Sequence, residues 1–258
     1  MPRFAANLSL MFTEHAFLDR FAAAAAAGFT AVEYLFPYDH PPEVIADRLK
    51  AAGLTQALFN MPPGDWAAGD RGLAALPHRR DAFREAVTTA VAYGRTIGTP
   101  LLHMMAGIAP WANTDARASY VDNARYAADK AAEAGIGLVL EPINARDMPG
   151  YFLCDFDGAV RLLDEIDHPN IRLQFDIYHR QIMRGDVIRG LEQLMPRIGH
   201  VQIAAVPHRN EPGTGELDDA RILATLDTLG YAGFVGCEYR PAAGTVEGLS
   251  WLRRLSAT

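Results

Sequence analysis

The sequence predicts an α/β fold, and specifically a (β/α)8 barrel of the TIM type. Short apolar runs alternate with longer helical stretches eight times, and this alternation fills nearly all of the 258 residues. Strands that alternate with helices form parallel sheets, and eight such units in about 250 residues suit a closed barrel. The alternative is a doubly wound sheet, but no Gly-x-Gly-x-x-Gly motif follows the first run. We expect one domain over residues 1–258.

The first half of the chain contains four strand–helix pairs. The predicted strands are 3–8, 30–36, 54–60 and 100–105, and the predicted helices are 17–28, 42–53, 79–98 and 115–135. Glycine is a common residue at the C-terminal end of a helix, and Gly28, Gly53 and Gly98 end three of these helices. Asp115 is the candidate N-cap of the fourth. The loop 61–77 is unusually long, which is often a sign of function.

The second half continues the same alternation. The predicted strands are 136–141, 171–176, 198–204 and 233–238, and the predicted helices are about 155–166, 178–195, 218–229 and 245–254. Every strand of the barrel is therefore assigned to a segment of the sequence.

The amino-acid composition limits which kinds of molecule the protein is expected to bind. Asp and Glu number 31 against 24 Lys and Arg, so the net charge is −7, which argues against nucleic acid as a partner and leaves a local basic cleft as the alternative. The two cysteines, Cys154 and Cys237, form no disulfide framework or thiolate zinc site, and we expect packing roles for both in a cytoplasmic protein. We see neither a signal peptide nor an apolar stretch long enough for a membrane span. The oligomeric state stays open, with a homo-oligomer among the states allowed.

Oxygen-bearing side chains lie at the C-terminal ends of the last four predicted strands: Glu141, Asp176, Gln202 and Glu238. Strand alternation directs them toward the barrel axis, at the end where barrel active sites form. Three carboxylates this close would repel one another unless a cation neutralised them. Oxygen ligands favour a hard divalent metal, Mg²⁺ or Mn²⁺. The alternative is that the acids are separate salt-bridge partners or helix caps.

Several stretches carry a resemblance to a known family: FAANLS, EYLFPYD, GDWAAGDRG, LEPIN, QFDIYH, EPGTGEL and GCEYRP. They resemble the hydroxypyruvate isomerase family of xylose-isomerase-like barrels, almost from end to end. That branch also holds 2-oxo-tetronate isomerases, sugar epimerases and an endonuclease of abasic DNA. The resemblance implies a TIM barrel, a metal held by Glu141, Asp176, Gln202 and Glu238, and Glu141 and Glu238 as the proton-transferring pair. Related epimerases usually have histidine at the position of Gln202, and the weaker amide ligand leaves open a turnover that dispenses with metal.

The activity that the resemblance implies is isomerisation of a small hydroxy-oxo carboxylic acid. Hydroxypyruvate would interconvert with tartronate semialdehyde through an enediolate, with the two glutamates moving the proton. The metal would hold the substrate oxygens. The alternatives are a 2-oxo-tetronate isomerase, a neutral-sugar epimerase, an abasic-site endonuclease and a binding barrel without activity.

A carboxylate substrate needs a cation to bind it. The candidates are Arg71 in the long loop and Arg209 after the seventh strand, because an arginine can hold a carboxylate with two hydrogen bonds. His179 lies three residues beyond Asp176, at the mouth of the predicted barrel, and would contact a substrate oxygen or orient Asp176. Phe36 and Trp66 are candidates for an apolar wall.

Overall fold

The computed structural model describes residues 2–255, and within them eight strands form a closed barrel in the order of the sequence. The strands are β1 (Arg3–Asn7), β2 (Ala31–Tyr34), β3 (Thr55–Asn60), β4 (Leu101–His103), β5 (Gly137–Leu140), β6 (Ile171–Asp176), β7 (Ile198–Ile203) and β8 (Phe234–Cys237). Each lies on a segment that the sequence predicted, so the predicted (β/α)8 barrel is confirmed.

Helices follow the strands as the alternation requires. They are α1 (Arg20–Ala26), α2 (Pro42–Ala52), α3 (Arg80–Ile97), α4 (Thr114–Ala132), α5 (Phe156–Ile166), α6 (Ile177–Met183), α7 (Val187–Leu194), α8 (Asp219–Thr228), α9 (Thr245–Gly248) and α10 (Ser250–Leu255), with 3-10 turns at Phe17–Asp19, Pro77–Arg79 and Met195–Arg197. Among the residues described, none of these helices is both long enough and apolar enough to span a membrane.

The described chain divides into two compact units, and the first comprises residues 2–35, 43–57 and 175–255. Within it β1 pairs in parallel with β2 and with β8, and β8 pairs in parallel with β7. The pairing sets Gly236 opposite both Gln202 and Ala5, and Ala5 opposite Ala31. These small residues leave room in the interior for longer polar side chains from the same strands.

The second unit comprises Phe36–Pro42 and Leu58–Gln174. Here β3 pairs with β4, β4 with β5 and β5 with β6, all in parallel. Helix α4 begins one residue before Asp115, and its N-cap is Asn113, whose side chain accepts the backbone N–H groups of Asp115 and Ala116. The prediction of Asp115 as the cap was therefore wrong. Asp115 lies in the first turn, where its charge interacts favourably with the helix dipole.

Two predicted helices are interrupted. The segment 178–195 forms α6 and α7, separated by Arg184, Gly185 and Asp186, and the last two have φ values of 62° and 47°. That left-handed backbone cannot continue a right-handed helix. The segment 245–254 likewise forms α9 and α10. Among the cysteines, Cys237 is buried as expected, whereas Cys154 is exposed and the expectation of a packing role was wrong for it.

The long loop 61–77 is held by its own contacts. Asp70 Oδ2 accepts the N–H of Asp65 at 2.8 Å and lies 3.2 Å from Arg79 Nη1. Gly72 has a φ of 108°, and a Cβ there would lie 2.4 Å from the backbone of Met105, so only glycine fits. The loop is therefore a defined surface that can present Arg71 and Trp66 in fixed positions.

Candidate functional site

Three of the four predicted strand-end side chains are carboxylates, and all three are buried. Glu141 directly follows β5, Asp176 is the last residue of β6, and Glu238 directly follows β8. Asp176 and His179 belong to the same compact unit, and their carboxylate and imidazole groups are donors that a divalent metal such as Mn²⁺ accepts. The structure thus places His179 beside Asp176, one of the predicted ligands. The joint binding of a metal by Glu141, Asp176, Gln202 and Glu238 stays a prediction.

Asp176 occupies the turn between β6 and α6. Its Oδ1 caps α6 by accepting the N–H of Tyr178 at 2.7 Å, while its Oδ2 lies 3.5 Å from His179 Nε2. Arg209 Nη2 lies 3.4 Å from the same Oδ2. Burial raises the pKa of Asp176 to about 6, and Arg209 and the backbone hydrogen bonds oppose that rise. Asp176 is therefore held by a helix end and by an arginine.

Glu238 and Arg209 form a second charged pair, in which Glu238 is buried and Arg209 is partly buried. Arg209 Nη2 lies 3.4 Å from Glu238 Oε2, and Arg209 Nε donates to the Glu238 carbonyl oxygen at 3.2 Å. The guanidinium stacks 4.8 Å from the ring centroid of Tyr178. Burial raises the pKa of Glu238 to about 8, with the charges of Asp176 and Glu33 adding to the rise and Arg209 opposing it. Burial of the Glu238 carboxyl group therefore favours its protonated form. The predicted contact of Arg209 with a substrate stays a prediction.

Glu33 is a buried acid that the sequence reasoning missed. It lies on β2 with no exposed surface, and His200 Nε2 lies 2.6 Å from its Oε2. Its Oε1 accepts hydrogen bonds from Asn7 Nδ2 at 3.0 Å and from Gln202 Nε2 at 2.8 Å. Gln202 is thus buried with its amide nitrogen on Glu33, and its role as a metal ligand stays a prediction. A signal was present, because Glu33 interrupts the apolar run TAVEYLF.

His103 is a second polar residue that the sequence reasoning missed. It ends β4, is buried, and places Nε2 3.7 Å from Glu141 Oε2. The signal was its position at the C-terminal end of a predicted strand, the same signal that identified the four oxygen-bearing residues. A protonated His103 would add a positive charge beside Glu141.

Arg71 is held by contacts inside the long loop. Its guanidinium stacks 3.9 Å from the ring centroid of Trp66, and its Nη1 donates to the carbonyl oxygens of Trp66 and Asp70. Trp66 in turn packs against Phe36, with ring centroids 5.2 Å apart. Phe36 and Trp66 line a cavity of about 680 Å³ together with Arg79. The two aromatic residues therefore line this cavity, whereas their role as a wall of the substrate site and substrate binding by Arg71 stay predictions.

Known proteins resemble this chain over nearly its whole length. A family model described as the xylose isomerase-like TIM barrel matches residues 21–255. A relative from Cupriavidus necator named 2-oxo-tetronate isomerase is 55% identical, and one from Escherichia coli named hydroxypyruvate isomerase is 42% identical; each match covers 98% of both chains. A solved structure named AP endonuclease, family 2, from Brucella melitensis has a TM-score of 0.97 and 49% identity, covering 98% of this chain and 99% of that one.

Proposed function

Because the chain belongs to the xylose isomerase-like TIM barrel family, we propose that it is an isomerase that moves the carbonyl group of a small hydroxy-oxo carboxylic acid by one carbon. The observation that carries the proposal is the 55% identity to a 2-oxo-tetronate isomerase over 98% of both chains. Buried carboxyl groups at the ends of β5, β6 and β8 supply the acid–base chemistry that such a reaction needs.

The two glutamates have separate tasks in this reaction. Glu141 takes the proton from the carbon that bears the hydroxyl group, which leaves an enediolate. Glu238, whose affinity for a proton is increased because burial raises its pKa, returns a proton to the neighbouring carbon. In hydroxypyruvate the proton leaves C3 and a proton arrives at C2. The hydroxyl proton passes from the C3 oxygen to the C2 oxygen, so the product is an isomer of the substrate.

A divalent metal fits the site through hard oxygen donors. We assign Glu141, Asp176, Gln202 and Glu238 as its ligands, because carboxylate and amide oxygens suit Mg²⁺ or Mn²⁺. When bound, such an ion supplies charge that stabilises the negative oxygens of the reacting acid. His179, which lies 3.5 Å from Asp176, is then available to hydrogen-bond a substrate hydroxyl group, and Arg71 and Arg209 are the proposed partners of the substrate carboxylate.

The relatives support a proposal for the number of carbon atoms in the substrate acid. The 55% identity to a 2-oxo-tetronate isomerase exceeds the 42% identity to a hydroxypyruvate isomerase, which favours the four-carbon acid as the better substrate. We expect a higher kcat/KM for 2-oxo-tetronate than for hydroxypyruvate when both are assayed side by side. The reverse order would make the three-carbon acid the substrate.

The proposal is tested by deuterium exchange. We expect each acid, incubated in D₂O with the protein, to gain deuterium at the carbon next to the carbonyl group, as followed by proton NMR. Loss of deuterium exchange after the protein is treated with a chelator, and its return when Mn²⁺ is added, would show that the reaction needs the metal. A synthetic duplex with one abasic site tests the activity named for the Brucella melitensis structure. Nicking of that duplex, with no exchange into either acid, would replace the isomerase by an endonuclease.

A further inference from the structure

Glu33 lies among the barrel strands but has no part in the proton transfers. We propose that Glu33 is a positioning residue, which holds the side-chain amide of Gln202 with its oxygen directed toward the divalent metal. This inference rests on the proposed function, because the metal is part of it. It explains how a glutamine can act as a ligand in a site of this kind.

The hydrogen bond between the two side chains determines which way the amide faces. An ionised carboxylate can only accept hydrogen bonds, and of the two ends of an amide only the nitrogen can donate. Gln202 Nε2 lies 2.8 Å from Glu33 Oε1, and both residues are buried. The nitrogen of Gln202 therefore faces Glu33, and the side-chain oxygen of Gln202 points away from Glu33.

Glu33 is itself held from two other sides, so it can act as a rigid reference. Asn7 Nδ2 donates to Oε1 at 3.0 Å, and the orientation of Asn7 is set because its Oδ1 accepts the N–H of Ser9 at 3.1 Å. His200 Nε2 lies 2.6 Å from Oε2. Gly236 leaves space for the Glu33 carboxylate, since a Cβ at residue 236 would lie 2.2 Å from Glu33 Oε2.

The orientation matters because an amide has two unlike ends. Turned one way it offers an oxygen lone pair to a cation, and turned the other way it presents the positive end of an N–H dipole. A partner that holds a ligand in the correct orientation typically changes metal affinity by about 10–100-fold when it is removed. Glu33 would therefore do for Gln202 what a carboxylate does for a metal-bound histidine.

The test is a double-mutant cycle read out by Mn²⁺ binding, measured by isothermal titration calorimetry. We expect Glu33→Met and Gln202→Met each to weaken Mn²⁺ binding by about 10–100-fold, and the double variant to bind no worse than the weaker single variant. Equal losses from Glu33→Met with and without Gln202→Met would overturn the inference, because Glu33 would then act without Gln202.

A rescue and a control sharpen the cycle. Gln202→Glu places oxygens at both ends of the ligand, so its orientation no longer matters, and in the Glu33→Met background it should restore Mn²⁺ affinity; failure to do so would count against the inference.

The control is a second buried amide, Gln174 on β6. Gln174→Met makes the same change as Gln202→Met, and it should leave the loss of Mn²⁺ affinity caused by Glu33→Met unchanged. If Glu33→Met does not fold, Glu33→Asp takes its place, because its carboxylate ends one bond short of Gln202.

The outcomes separate this inference from the function on which it rests. A wild-type protein that binds no Mn²⁺ would contradict the metal in the proposed function and, with it, the inference. Intact Mn²⁺ binding with additive losses would overturn the inference alone, and the deuterium-exchange result would still stand.

Discussion

Arg209 Nη2 lies 3.4 Å from Asp176 Oδ2, so a buried carboxylate of the candidate metal site has a guanidinium beside it. The same nitrogen lies 3.4 Å from Glu238 Oε2. Arg209 lowers the pKa of both acids against the rise that burial causes. Arg209 therefore favours the ionised forms of both acids, which are the forms that bind a metal.

Arg209→Met should lower kcat/KM by about 10², because the pKa values of Asp176 and Glu238 both rise when the positive charge is removed. The measurement is steady-state turnover of 2-oxo-tetronate and hydroxypyruvate from pH 6 to pH 9. Arg240→Met is the comparison, since Arg240 is exposed and lowers the pKa of Glu238 less than Arg209 does; we expect it to change turnover less than threefold. Equal losses in the two variants would contradict the role of Arg209.

Mn²⁺ binding should tighten as the pH rises from about 6 to about 8. Below pH 8 the metal must displace the proton of Glu238, and below pH 6 that of Asp176 as well, because the pKa values of these groups are about 8 and about 6. Calorimetry in two buffers of different ionisation enthalpy at pH 6.5 should show proton release on binding, and at pH 9 that release should largely vanish. Proton release that is the same at both pH values would contradict the assignment.

Glu141→Gln and Glu238→Gln should fail in different ways. Without Glu141 the proton cannot leave the hydroxypyruvate carbon, so exchange into substrate and isomerisation should both fall by about 10²–10⁴. Without the acid Glu238, removal of the C3 proton continues, so deuterium should enter unreacted hydroxypyruvate while net isomerisation is lost. Proton NMR of the residual substrate distinguishes the two. Exchange that persists in Glu141→Gln would reverse the assigned roles.

The strands were predictable from the sequence, whereas part of the site was not. Apolar runs and terminal glycines placed all eight strands, and the strand ends identified Glu141, Asp176 and Glu238. Glu33 was not predicted as a site residue because all four residues of β2 are buried, so the alternation of side chains does not distinguish a polar face on this strand. Its contact with Gln202 joins β2 to β7, which are not neighbours in the barrel, and such pairing depends on the register of several strands at once.

Gly236→Ala should destabilise the protein by about 1–3 kcal/mol, because the added Cβ would lie 2.2 Å from Glu33 Oε2 in a closely packed interior. Urea unfolding at pH 7 measures the free energy of unfolding. Adding Glu33→Asp, which withdraws the carboxylate by one methylene, should recover part of that loss. A loss of stability that is the same with either acid at position 33 would place the clash elsewhere.

Asp219→Asn should remove one pH-dependent contribution to stability. Burial raises the pKa of Asp219 from 3.8 to about 6, with a hydrogen bond from the N–H of Gly213 opposing the rise. The folded protein therefore keeps this proton up to about pH 6 while the unfolded chain loses it near pH 4. Stability then falls as the pH rises through that window, by about 2 kcal/mol for this group.

The amide of Asp219→Asn keeps an acceptor for Gly213 and has no proton to lose in this range. The variant should therefore gain stability relative to the wild type as the pH increases from 4.5 to 7. Urea unfolding of both proteins at these two values provides the comparison. A difference in unfolding free energy that does not change with pH would show that Asp219 does not titrate in this window.

The closed order of strands has a consequence for self-association. Each strand within residues 2–255 has a hydrogen-bonded neighbour on both sides, so the barrel strands in this part of the chain offer no unpaired rim of N–H and C=O groups. An incoming polypeptide has nowhere among these barrel strands to dock as an additional strand, so within residues 2–255 they offer no template for cross-β fibrils. In this part of the chain, contacts between copies would be made by helices and loops.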